Sequence, residues 1–141
     1  MSDKPVITTD PNRRDVGFLE ERIVEFNYQK TGITDGVLLA SFVRDGTGAI
    51  EAGIYGWTGG GTCEIRDLWV REGSRGRGLG KQLLLAAEEE ARRRGCRQMV
   101  LDTHSFQAPG LYRKMGFAEI GRVTDYPRGF DKILLVKKWE A

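Results

Sequence analysis

The stretch GSRGRGLGKQ, residues 73–82, sets four glycines and three cations into ten positions. A loop of this kind either turns tightly or lets an anion approach the backbone, because glycine removes the side chains that would block it. Three phosphate motifs resemble it, and it fails each of them. The Walker loop Gly-x-x-x-x-Gly-Lys-Ser/Thr fits at Gly80-Lys81, but position 75 is arginine and position 82 is glutamine. The dinucleotide fingerprint Gly-x-Gly-x-x-Gly fits at Gly76 and Gly78, but position 81 is lysine and no acidic strand end follows at the expected distance. An RNA-binding RGG segment needs repeats, and there is one copy. The arrangement still has the physics of an anion site. A strand is expected to end near Val70 and a helix to start near Gly78, so several N–H groups and the positive end of a helix dipole converge on one spot. Arg75 and Arg77 add charge, and a diphosphate suits such a site better than a lone carboxylate.

The elements around the loop follow from hydrophobic period and turn residues. Residues 10–32 read as a helix, with Val16, Leu19, Ile23 and Phe26 at three- and four-residue spacing; Asp10-Pro11 or Asp15 is the expected start and Gly32 the end. Two strands, about 37–43 and 49–57, read as a hairpin closed by RDGTG, and 62–70 reads as a third strand. After the loop, Leu79, Leu83, Leu84, Ala87 and Ala91 form one apolar helical stripe ending at Gly95. Glu88, Glu89 and Glu90 each stand four residues before an arginine, a favourable orientation of about 0.2–0.5 kcal/mol per pair. Residues 96–103 read as a buried strand, with a short helix carrying Pro109 in its first turn and ending at Gly116. Two closing strands, AEIGRV and KILLVKKW, are joined by TDYPRGFD. The order is that of a mixed α/β protein in which the strand–helix–strand from 62 to 103 makes a right-handed parallel crossover.

The whole chain narrows the function classes. Its 141 residues suit one domain, residues 1–141, with a real core. The 22 basic and 20 acidic residues leave a formal charge of +2, so no global field argues for nucleic acid or a membrane. No segment approaches 18 apolar residues and the first ten carry no apolar leader core, which points to a cytoplasmic protein. Cys63 and Cys96 form neither a disulfide framework nor a zinc spacing; they read as buried reduced thiols, and no metal is expected.

Together with its flanking segments, the loop resembles a known family. Arg75-Gly-Arg-Gly78-Leu-Gly80 matches the Gln/Arg-x-x-Gly-x-Gly/Ala signature of the GNAT superfamily of acyl-CoA-dependent N-acyltransferases. DLWV precedes it at the usual distance, an amphipathic helix comes after it, and APGLYRKMGF, residues 108–117, is similar to the family's Ala-x-x-Leu/Phe-Tyr-x-x-x-Gly-Phe segment. The resemblance is strong over about 60–123 and looser, by element order, elsewhere. It implies a central, mostly antiparallel, twisted sheet with a parallel, splayed central strand pair, flanked by helices. It also implies that the backbone of Arg75, Gly76, Arg77, Gly78, Leu79, Gly80 and Lys81 binds the pyrophosphate of acetyl-CoA. The pantetheine arm would pair with the backbone around Leu68, Trp69 and Val70, like an added strand. Ser105 stands where the family often has an asparagine that touches this arm.

By the same resemblance, Tyr112 occupies the position of the acid that protonates the departing thiolate; a phenol with a pKa near 10 carries the proton needed at neutral pH. Read without the family, a tyrosine beside Leu111 and Met115 is more often a core or interface residue. Glu64 lies where the histone-acetylating branch puts its base glutamate; strand alternation sets Asp67 on the opposite face. His104, the lone histidine, is an eligible base because its intrinsic pKa lies near 6.5. The acceptor is expected between the first helix and TDYPRGFDK, and no acidic cluster marks a polyamine pocket. The implied partners are acetyl-CoA and an amine, with neither nucleic acid nor membrane, and a homodimer is compatible with the closing strands. The rival reading is a catalytically silent CoA-binding sensor.

Overall fold

The computed structural model describes residues 4–139 and divides the chain into two compact units, one running to Thr34 and one beginning at Asp35. The first unit is built on α1, Arg13–Thr31. Its start is set by Asn12, not by Asp10 or Asp15: the Asn12 side-chain oxygen accepts from the Arg14 N–H at 2.8 Å. Asp15 lies one turn inside, where its charge complements the helix dipole. Gly32, at φ 69°, ends the helix by donating its N–H to the Tyr28 carbonyl at 2.8 Å.

The second unit is a six-stranded sheet with two helices. Its strands are β1 (Val37–Arg44), β2 (Ile50–Gly59), β3 (Thr62–Val70), β4 (Gln98–His104), β5 (Ala118–Thr124) and β6 (Asp131–Lys138), in the order β1-β2-β3-β4-β6-β5. All neighbours are antiparallel except β3 and β4. The fifteen residues of α2, Leu79–Arg93, connect that parallel pair, and α3, Pro109–Lys114, follows β4. This is the mixed α/β sheet that the sequence implied.

The stripe on α2 explains why the helix lies where it does. Leu83, Leu84, Ala87 and Ala91 are buried in one core with Ile54, Cys63, Met99, Ile133 and Leu135 of the sheet. Each fully buried leucine contributes about 1.5–3 kcal/mol. Polar contacts then fix the helix's far end. The Arg94 guanidinium donates to the Leu38 carbonyl at 3.0 Å and to Thr58 Oγ1 at 3.1 Å while pairing with Glu90 at 2.7 Å. Lys137 of β6 pairs with Glu88 at 2.5 Å, and Trp139 Nε1 donates to the Cys96 carbonyl at 2.7 Å. Of the three expected pairs four residues apart, Glu88–Arg92 and Glu90–Arg94 form. Arg93 turns instead to Glu90, one helical turn back, at 2.8 Å. With its C-terminal end held this way, α2 points its N-terminus at the loop before it.

Candidate functional site

The parallel pair opens. β3 and β4 are joined only at Thr62–Gln98, Cys63–Met99 and Glu64–Val100, although β3 runs on to Val70 and β4 to His104. Glu64 is therefore the last residue before the strands part. On its other side β3 stays paired with β2, but with a bulge: Gly56 faces Ile65 and Tyr55 faces Asp67, leaving Arg66 as the extra residue. Glycine is required at position 56, because a Cβ there would stand 2.0 Å from the Glu64 carbonyl oxygen. The bulge also corrects the alternation argument. Glu64 pairs with Trp57 and Asp67 with Tyr55, two residues apart on β2, so both carboxylates lie on the same face. Simple period-two counting fails because one residue is inserted between them.

Beyond β3 the chain makes a short 3₁₀ turn, Glu72–Ser74, and enters the glycine loop. Gly76 at φ 83° and Gly78 at φ 78° hold left-handed conformations that a Cβ disfavours. Gly78 is the N-cap of α2 and supplies no capping side chain. The first-turn N–H groups of Leu79, Gly80 and Lys81 thus keep the donors and positive dipole end that an anion needs. The arginines behave less simply. Arg75 Nε donates to the Val70 carbonyl at 3.1 Å, bracing the turn, while its residue still borders the cavity. Arg77 turns away and pairs with Glu51.

A cavity of about 680 Å³ joins the opened strands to the loop. Of the residues singled out from sequence, Leu68, Trp69, Val70, Arg75, Gly76, Gly78, Leu79, Gly80, Lys81 and Tyr112 line it. Arg77, Glu64, His104 and Ser105 lie outside the lining. Ser105 is engaged elsewhere: its Oγ accepts from the Asp131 N–H at 3.0 Å and its N–H donates to the Asp131 carbonyl at 2.8 Å. His104 stacks on Phe106, ring centroids 5.3 Å apart, and its Nδ1 is 3.0 Å from the Tyr126 carbonyl oxygen. A carbonyl only accepts, so Nδ1 is the donor in this contact. Asp67, Thr103, Phe106 and Gln107 line the cavity without having been singled out for it. Gln107 Oε1 accepts from Thr103 Oγ1 at 3.0 Å and from the His104 N–H at 2.7 Å, fixing the corner between β4 and α3. The signal for Thr103 was present in the alternation of Met99, Leu101 and Thr103, all buried.

Tyr112 is 9% exposed and packs edge-on against Phe117, centroids 5.8 Å apart. Burial pushes its phenol above the ordinary tyrosine value, so it keeps its proton at neutral pH. Burial also pushes the Cys63 thiol up to about 12 and raises Cys96, so neither offers a thiolate nucleophile near pH 7.

A mixed sheet whose one parallel pair opens onto an uncapped helix N-terminus is the arrangement that the resemblance to the acyl-CoA-dependent transferases implied. The model of the acetyltransferase (GNAT) family matches residues 16–117, and the chain belongs to that family. It is 36% identical over 100 residues to blasticidin-S acetyltransferase of Streptomyces morookaense, covering 70% of this chain and 74% of that one. It is 31% identical over 121 residues to an acetyltransferase of Agrobacterium fabrum, covering 86% and 88%. Among solved structures, a protein of Agrobacterium tumefaciens designated an acetyltransferase superposes with a TM-score of 0.89 at 29% identity, covering 96% of this chain and 99% of the other. An acetyltransferase from Bacillus cereus gives 0.79 at 30% identity, covering 94% and 97%. Among the described residues no helix is long and apolar enough to cross a membrane.

Proposed function

We propose that the chain acts as a single acetyltransferase domain that moves the acetyl group of acetyl-CoA to a primary amine of a small molecule or peptide, by direct attack in a ternary complex. The observation that carries this reading is the continuity of one cavity from the N-terminus of α2, through the gap between β3 and β4, to Tyr112. The diphosphate sits on the N–H groups at the start of α2. The pantetheine amides pair with the free edge of Leu68–Val70. That path delivers the thioester toward the vertex where the strands part.

The amine must arrive uncharged, since a typical alkyl ammonium has a pKa near 10.4. Glu64, half-buried at the vertex, is the proposed proton acceptor, directly or through a water, and Asp67 shares its face. His104 Nε2 is the alternative acceptor at the open end of β4. The amine nitrogen then bonds to the carbonyl carbon, and a backbone donor of the opened strand stabilises the oxyanion. On collapse the C–S bond breaks, the thiolate takes the Tyr112 proton, the second proton of the former amine is released and restores the Tyr112 phenol through solvent, and the products are the amide and the CoA thiol. The covalent acyl-cysteine route is disfavoured by the raised thiols.

A CoA-release assay with acetyl-CoA and a panel of primary amines tests the reading. Turnover with at least one amine is expected. Acetyl-CoA binding without turnover on any amine points to a silent sensor, and absence of binding removes the reading.

A further inference from the structure

One of the two arginines that add charge to the glycine loop is committed elsewhere. Arg77 pairs through Nη2 with Glu51 Oε1, and its Nε donates to the Ser74 carbonyl at 3.4 Å. Glu51 is 7% exposed on β2, a buried carboxylate of the kind found only where it has partners. Its second oxygen lies 3.7 Å from Arg71 Nη2, and its carbonyl accepts the Arg71 N–H at 2.8 Å. Arg71 continues the chain: Nη1 pairs with Asp45 at 2.9 Å, and Nε donates to Ser74 Oγ at 3.2 Å. Asp45 in turn organises the β1–β2 turn by accepting from Thr47 N–H at 2.8 Å and Ala49 N–H at 3.1 Å. Charges alternate along Asp45, Arg71, Glu51 and Arg77, so the set is neutral as a whole.

The brace and the anion face use different residues of the same loop. Arg71, Ser74 and Arg77, spaced by three, face the brace and stay outside the cavity lining. Arg75, Gly76 and Gly78 border the cavity. We propose that Glu51 is a positioning residue for acetyl-CoA, holding Arg71 and Arg77 so that the loop presents its backbone N–H groups to the diphosphate. Arg77 then serves the loop's shape, and its charge is spent on Glu51 instead of on the phosphates. The inference rests on the reading that this loop binds CoA.

Calorimetric titration with acetyl-CoA tests it without an acceptor. The proteins are wild type, Glu51→Gln, Arg77→Met, the double variant and Arg77→Lys, each checked for an unchanged folded spectrum. Each of the first two single changes is expected to weaken binding about tenfold. The double variant is expected to match the singles, since the two side chains act as one unit. Arg77→Lys, which keeps the ion pair, is expected to restore most of the affinity. The salt dependence of Arg77→Met is expected to match that of wild type, because no phosphate contact has been removed. Wild-type affinity in Glu51→Gln overturns the inference. So does an additive double variant, or a flattened salt dependence in Arg77→Met, which marks Arg77 as a direct phosphate ligand. Failure of wild type to bind acetyl-CoA brings down the functional reading itself and is distinguishable from all of these.

Discussion

Changing Gly78 probes the anion site with a built-in control. The residue sits at φ 78°, and a Cβ placed on it meets only Gln82 Nε2, at 3.9 Å, so the cost of a side chain is conformational and not steric. Alanine in the left-handed region costs about 1–2 kcal/mol, which for a domain of this size lowers Tm by roughly 3–6 °C. Gly61, at φ 86° with nothing within 4 Å of its built Cβ, should show a similar loss when changed to alanine, yet it lies in the β2–β3 turn. Aspartate tolerates this backbone better than alanine, so Gly78→Asp should be the more stable variant and the weaker binder. A carboxylate about 6 Å from a diphosphate bearing two charges, at an effective dielectric of about 40, costs about 2.8 kcal/mol, or roughly 100-fold in affinity. Acetyl-CoA titration should therefore rank Gly61→Ala with wild type and Gly78→Asp about 100-fold weaker, the deficit shrinking as salt is raised. Binding of Gly78→Asp within about threefold of wild type would show that the diphosphate does not lie at this helix end. Equal losses in Gly61→Ala and Gly78→Asp would show that stability alone sets the affinity.

Tyr112→Phe should lower kcat about 100-fold while the acetyl-CoA Kd stays within about twofold, measured by CoA release and calorimetry. The Tyr112 phenol is raised by burial, so its active protonated form is fully present below pH 10 and is lost only as pH climbs through the raised value; an alkaline decline in kcat lying above about pH 10 should vanish in the phenylalanine variant. Cys63, pushed up to about 12, should be inert: iodoacetamide at pH 7.5 should leave turnover intact, and mass spectrometry after acetyl-CoA should find no acyl-enzyme. Gly56→Ala should destabilise by about 3 kcal/mol in urea unfolding, because its Cβ would collide with the Glu64 carbonyl oxygen at 2.0 Å.

Local patterns carried the elements well. The α2 stripe of Leu83, Leu84, Ala87 and Ala91 and the short helix at Pro109 were readable because period and capping residues act within a few positions. The turn RDGTG was readable because Asp45 and Gly48 make their contacts inside it. What escaped the sequence depends on distant partners. Nothing local says that Arg66 bulges out of β3, because the cause is the close approach of Gly56 on another strand, and with it went the relation of Glu64 to Asp67. Arg77 looked like a phosphate ligand by position, and only Glu51, 26 residues earlier, turns it away. Ser105 stands where the family often has an asparagine, and Asp131 at the start of the neighbouring strand β6 claims its hydroxyl. The loop's backbone was legible and its side chains were not, since backbone geometry follows from glycine placement while side-chain direction follows from tertiary neighbours.

A structure of the wild-type protein with CoA is the most direct test. The account predicts diphosphate oxygens at about 3 Å from backbone N–H groups between Gly76 and Lys81, pantetheine amides paired with Leu68–Val70, and the thiol sulfur turned toward Tyr112. CoA bound away from the N-terminus of α2, or a diphosphate held chiefly by the Arg77 guanidinium, would contradict it.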